Sequence, residues 1–231
     1  MNSSNPSLVL VAADRGDAGR RQALDELARA TERCAEAAVH RAFGSLAEVL
    51  ATVESVSGPR VLIPVFLAGG DQASARMCAQ LPPTLSGNVI ANDPLGVSPA
   101  LIAHLAVRVR EAGWEPGDGV VLLADAAGGA QQRRQVAVAA QMLRRHVDTP
   151  VHLAHARRGV SSARTAVHRL RRSGYRRVVL APWRLVPGPE REERELRSAG
   201  ADAVAAPLWP AQRVVDTVLA QHRMACARLA A

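Results

Sequence analysis

The sequence predicts an α/β protein of two similar halves, each a mostly parallel four-stranded sheet with helices between the strands. Three observations carry this. Val61 to Leu67 is an unbroken apolar run rich in branched side chains, the pattern of a strand buried on both faces. Segments of helical length separate it from other short apolar runs, and parallel strands need crossovers of that length. The second half also restates the first. Arg20-Arg21-Gln22 returns as Arg133-Arg134-Gln135, Val39-His40 with Ala42 as Val151-His152 with Ala154, Pro64 and Gly70 as Pro182 and Gly188, and Pro94-Leu95 as Pro207-Leu208, at offsets of 113, 112, 118 and 113. Gly113-Trp-Glu-Pro-Gly-Asp-Gly119 punctuates the midpoint, so the expected halves are residues 1–116 and 117–231.

The elements follow in order. Leu8–Ala12 reads as a strand, Asp14–Gly19 as a turn, and Arg20–Ala37 as a helix with Ala23, Leu24, Leu27, Ala28 and Cys34 on one face. Ala38–Phe43 is a short strand. Ser45 caps a helix to about Val56, with Glu48 at capping-box spacing. The strand Val61–Leu67 breaks at Gly69-Gly70, and a helix or loop then runs to Gln80, stopped by Pro82-Pro83. Asn88–Ala91 is a strand and Pro99–Ala112 a helix. In the second half the strands are Val120–Ala124, Val151–Ala156, Arg177–Pro182 and Ala203–Ala206, and the helices Gln131–His146, Ser161–Ser173, Glu190–Ala199 and Pro210–Leu229.

Composition narrows the function classes. Hydrophobic residues make up 48% of the 231, but aromatics only 3%, so the core must be Ala, Val and Leu. No run of 18 apolar residues occurs and the N-terminus lacks the regions of a signal peptide, so a cytoplasmic protein without a membrane partner is expected. Cys34, Cys78 and Cys226 are too scattered for a disulfide framework or a zinc site. The net charge of +8, carried by arginine, favours an anionic partner. Basic and aromatic residues are not interleaved, and nothing resembles a helix-turn-helix, so nucleic acid is not the expected partner. Nucleotide-binding glycine motifs and a Gly-x-Ser-x-Gly elbow are absent from the sequence.

In open α/β sheets ligands bind beyond the carboxyl ends of the strands. That rule singles out Gly69 to Gln72 after the third strand and Asp14 after the first. It also singles out His155, at the end of its strand, followed by Arg157 and Arg158. His40 and His152 sit inside short strands and read as packing residues.

With both halves laid out, the chain resembles the sirohydrochlorin chelatases, the small class II tetrapyrrole chelatases, and most closely their actinobacterial two-half members. The resemblance runs from about Leu8 to His222. It rests on Leu8-Val-Leu-Val-Ala12, Ile63-Pro-Val-Phe-Leu67 with Gly70, Pro94-Leu95-Gly96, Gly113-Trp-Glu-Pro-Gly-Asp118, and Gly200-Ala-Asp-Ala-Val204 with Pro207-Leu208. It implies a protein that handles a tetrapyrrole polycarboxylate, inserting Fe²⁺ or Co²⁺ as substrate metal without ATP, on the route to siroheme or cobalamin. No resident cofactor is implied.

Two departures stand out. Where the family carries Ala-His-Gly-Ser/Thr, this chain has Ala12-Ala13-Asp14-Arg15, so Ala13 replaces a histidine. Where the family carries Gly-Tyr-His and then Arg and Asp at alternate positions, the chain has Gly70-Asp71-Gln72, Ser74 and Arg76. Metal insertion needs a neutral imidazole to hold the ion and a base to take the pyrrole protons. Ala13 can do neither, and the Gln72 amide is a poor ligand for Fe²⁺ or Co²⁺. Asp14 and Asp71 are the remaining oxygen ligands or bases, with Gln72 beside them as catalytic candidates. Arg20, Arg133, Arg157 and Arg158, with His155, are the candidates for binding the macrocycle's carboxylates, since Arg pairs with carboxylates bidentately. The function expected is thus a chelatase-like lyase with an altered metal site, or a non-catalytic regulator that binds a tetrapyrrole or a protein partner.

Overall fold

The computed structural model describes residues 5–14, 16–81, 88–125, 129–156 and 161–230. Strands and helices alternate along them: β1 (Ser7–Ala13), α1 (Ala18–Cys34), β2 (Val39–Gly44), α2 (Leu46–Ser55), β3 (Arg60–Pro64), α3 (Gln72–Cys78), β4 (Val89–Ala91), α4 (Pro99–Glu111), β5 (Gly119–Asp125), α5 (Ala130–Val147), β6 (Val151–Ala156), α6 (Ser161–Arg172), β7 (Val178–Pro182), α7 (Glu190–Arg197), β8 (Ala203–Val204) and α8 (Gln212–Ala230). Two four-stranded sheets result, ordered β2-β1-β3-β4 and β6-β5-β7-β8. All their pairings are parallel. The α/β class and the two similar halves are as the sequence predicts.

The strand registers reproduce the sequence offsets. Leu8 faces Val39 and Val120 faces Val151, both members displaced by 112 residues (120 − 8 and 151 − 39). Arg60 pairs with Ser7 as Val178 pairs with Gly119, a displacement of 118 along β3 and β7 (178 − 60). The match continues past the strands. The Val65 N–H donates to the Val11 carbonyl at 2.9 Å and the Trp183 N–H to Leu123 at 2.7 Å; the Leu95 N–H donates to Phe66 at 3.0 Å and the Leu208 N–H to Arg184 at 3.1 Å.

The chain forms two compact units, each discontinuous in sequence. The first comprises Met1–Phe66, Ala73–Leu95 and Trp209–Ala231, and the second Leu67–Gln72 and Gly96–Leu208. Accordingly α8, last in the chain, packs on α1 and β3 in the first unit, while α4 packs on α5 and β7 in the second. In the first unit Val9, Val11 and Leu62 of the sheet meet Val49 and Val53 of α2 and Met77 of α3. In the second, Val121, Leu123 and Leu180 meet Ala163, Val167 and Leu170 of α6 and Leu196 of α7. Each of the Val, Leu and Met side chains among these contributes about 1.5–3 kcal/mol by leaving water. Burial on both faces explains why these strands read as apolar runs without alternation.

Element boundaries differ from the sequence reading in instructive places. β3 ends at Pro64, not Leu67, because proline has no N–H to continue the ladder. Val65, Phe66 and Leu67 stay buried at 0%, 1% and 0% although the strand has ended. α1 stops at Cys34, where Ala35 turns to extended backbone, rather than at Ala37. The α2 capping box forms as expected, Ser45 and Glu48 each accepting from the other's backbone N–H.

Candidate functional site

In the first unit the carboxyl end of β1 is closed by its own neighbours. Ala13 is 8% exposed, and its N–H donates to Ser74 Oγ of α3 at 3.0 Å. The Asp14 N–H donates to the Gly44 carbonyl at 3.1 Å. Its carboxylate accepts the Gly16 N–H at 2.9 Å and Arg21 Nη1 at 2.8 Å. The Gly16 hydrogen bond, the largest influence, outweighs the penalty of partial burial and, with the Arg21 hydrogen bond and charge, holds the Asp14 carboxyl below its ordinary value. An aspartate held ionised by two donors is a weak proton acceptor. Arg20 is 5% exposed, and its Nη2 lies 3.5 Å from Ser74 Oγ. Its backbone N–H is taken by Asp17, the N-cap of α1, at 2.9 Å. Ser74 thus gathers Ala13 and Arg20.

The stretch after β3 belongs to the second unit and is fastened to the carboxyl ends of β5 and β7. The Asp125 N–H donates to the Gly69 carbonyl at 2.9 Å. The Trp183 indole Nε1 donates to the Ala68 carbonyl at 3.0 Å. The Gln72 N–H donates to Asp125 Oδ2 at 3.0 Å. Close packing demands the glycine pair. Gly69 has φ +78°, and a Cβ there would lie 2.5 Å from Val136 Cγ2; a Cβ on Gly70 would run into the Trp183 carbonyl oxygen.

Asp71 is 6% exposed. Its charge bears on Asp125, the last residue of β5. Burial dominates at Asp125 and raises its carboxyl above the ordinary value. Arg184 and the Gln72 N–H oppose the rise, while Asp71 and Glu192 add to it. Arg184 is the hub of this cluster, with Glu192 at 2.8 Å, Glu193 at 3.2 Å and Asp125 at 4.0 Å.

The other candidates fall elsewhere in the second unit. His155 pairs with Ala124 at the end of β6, and its Nδ1 is buried without a hydrogen-bond partner among the described residues. Arg133 is exposed on the first turn of α5, its N–H bonded to the Gly129 carbonyl at 3.2 Å. Arg157 and Arg158 lie outside the described residues. The structure therefore joins Asp71 and Gln72 to Asp125, and Asp14 and Arg20 to the end of β1. Among the described residues no three of His, Cys, Asp and Glu come together to hold a metal ion.

Sequence reasoning missed Asp125, Trp183 and Arg184. The signal was present for the first: the 112-residue register carries Ala13 onto Asp125 (125 − 13), the equivalent position in the second half.

Comparison with protein-family models gives no match, and neither does comparison with curated proteins. Solved structures do match. SirB from Bacillus subtilis with Fe³⁺ superposes with a TM-score of 0.70 at 15% identity, covering 96% of each chain. The sirohydrochlorin chelatase SirB from Bacillus subtilis subspecies spizizenii, in complex with cobalt, gives 0.68 at 14% identity, again covering 96% of each. A multi-domain protein from Deinococcus radiodurans, described as structurally similar to chelatases with two additional novel domains, gives 0.66 at 22% identity. That match covers 94% of this chain but about half, 54%, of the other. The chain has the chelatase fold, and the resemblance read from its sequence holds at the level of the fold. Among the described residues no helix is long and apolar enough to cross a membrane.

Proposed function

We propose that this protein binds a tetrapyrrole polycarboxylate on the chelatase fold and that its metal-insertion site is altered. The fold shared with SirB, solved with Fe³⁺ and with cobalt, supports the tetrapyrrole and makes Fe²⁺ or Co²⁺ the substrate metals to test. The observation that carries the altered site is Ala13: a methyl, 8% exposed, stands where the family resemblance calls for an imidazole. Gln72 at the second such place offers an amide with no useful pKa. Arg20, Arg133, Arg157, Arg158 and His155 are the proposed contacts to the macrocycle. On this reading the protein acts in the cytoplasm, and the matching registers of its sheets reflect an internal duplication of residues 1–116 as 117–231.

Asp14 favours the non-catalytic form of the reading. Its carboxylate is committed to Gly16 and Arg21 and lowered in pKa, so it is poorly placed to take a pyrrole proton. The test is restoration. Ala13→His with Gln72→His is expected to gain metallation of sirohydrochlorin, read by the change in its visible spectrum, by at least the roughly 10²–10⁴-fold that a positioned base supplies. Tetrapyrrole binding with no gain on restoration would place the defect elsewhere than in these two residues. No binding by either form would reject the tetrapyrrole reading in favour of a protein partner.

A further inference from the structure

The two halves differ in charge far more than in fold. Residues 1–116 carry 10 arginines against 12 acids, and residues 117–231 carry 19 against 9. One genome encodes both on one fold, so a compositional preference for arginine cannot by itself charge one half and leave the other neutral. Between Asp148 and Glu190 the sequence has nine arginines and no acid.

Four of these nine, Arg164, Arg169, Arg171 and Arg172, lie on α6. Ala163, Ala166, Val167 and Leu170 face the sheet. Arg164, Thr165, His168, Arg169, Arg171 and Arg172 are exposed on the opposite side, with Arg176 just beyond. Arg164 reaches the Ser198 carbonyl and Arg171 pairs with Asp202 at 2.9 Å. The side chains of Arg169, Arg172 and Arg176 have no partner among the described residues. The corresponding helix of the first half, α2, carries Glu48 and Glu54 and no arginine. A helix dipole favours cations in a last turn, but α2 does without any, and Arg164 and Arg176 lie outside that turn.

We infer that the outer face of α6 is a sequence-independent contact for the phosphate backbone of duplex nucleic acid. Three features select this partner. A protein interface needs an apolar centre, and this face has none; the large exposed apolar side chains, Val107, Val138 and Met224, lie on other helices. A membrane-surface helix needs an apolar face turned to the lipid, and that of α6 is spent on its own sheet. Single strands are held by rows of aromatic side chains on which successive bases stack, and α6 offers His168 alone. What remains is positive charge along a helix about 18 Å long, at 1.5 Å per residue, which suffices for backbone binding without any recognition motif. The absence of such a motif, which made nucleic acid an unexpected partner from the sequence, does not bear on a contact to the backbone alone.

The experiment is fluorescence anisotropy of a labelled 30-base-pair duplex across 50–200 mM salt. The wild type is compared with Arg169→Gln/Arg172→Gln/Arg176→Gln. A charge-matched control removes three exposed arginines elsewhere, Arg29→Gln/Arg213→Gln/Arg223→Gln, and circular dichroism checks that all are folded. The wild type is expected to bind with an affinity that falls steeply with salt. The α6 variant is expected to lower the slope of log K on log salt by between about two and three, since each neutralised phosphate adds about 0.9 to that slope, while the control keeps it. Equal losses in both variants, no binding at 50 mM salt, or tighter binding to polyglutamate than to the duplex would each overturn the proposal.

Discussion

At the scale of single residues, Trp183 and Asp125 do the most for the stretch after β3. Trp183 is 1% exposed and gives its indole N–H to Ala68. Trp183→Phe keeps most of the ring but orphans that carbonyl, so a loss of about 1–3 kcal/mol in denaturant unfolding is expected. A loss near zero would show that the hydrogen bond is unimportant. Asp125 gives a test of sign. Its folded-state pKa lies above the unfolded value, so the native state binds the proton more tightly. Its contribution to stability is therefore largest below the unfolded pKa and is lost as pH rises through the folded one. Asp125→Asn keeps an acceptor for the Gln72 N–H and removes the buried charge. Unfolding measured against pH should lose the fall on the alkaline side of that window, with stability at pH 7 unchanged or raised. A large loss at pH 7 would mean that attraction to Arg184 outweighs burial, contrary to the direction of the shift.

At the scale of elements, the Gly69-Gly70 break is a packing device. Adding a methyl at Gly70 drives it into the Trp183 carbonyl, backbone that cannot easily yield, whereas at Gly96 nothing lies within 4 Å. Gly70→Ala is expected to cost about 1–3 kcal/mol, and Gly96→Ala to be neutral or slightly stabilising. Comparable thermal midpoints for the two would contradict the packing account. This stretch also marks how far the sequence could be read. The apolar run, the glycines and the capping box at Ser45 were legible because they follow from local periodicity and turn chemistry. That Pro64 would end β3 was not read, because the apolar run continues unbroken to Leu67 and hides the missing N–H. That Leu67–Gln72 would dock on β5 and β7 was not, because no local pattern records which sheet a loop packs against. For the same reason Asp14 was recognised as a carboxylate after a strand, but its commitment to Arg21, seven residues on, was not.

At the scale of the whole molecule, the repeat offsets were readable to the residue because buried parallel strands tolerate insertions only in their connections, and the registers return the same displacements of 112 and 118. The partition of α4 and α8 between the units was not readable, since either apolar face satisfies either sheet. The central claim is that this fold still takes up a tetrapyrrole while its metal chemistry has changed at Ala13 and Gln72. The most direct measurement is an anaerobic spectrophotometric titration of the unmodified protein with sirohydrochlorin, run with and without Co²⁺. The account predicts saturable binding of the macrocycle and, on adding Co²⁺, metallation no faster than in protein-free buffer. Rapid catalysed metallation by the unmodified chain would contradict it, and would pass the role of ligand and base to Asp14, Asp71 or His155.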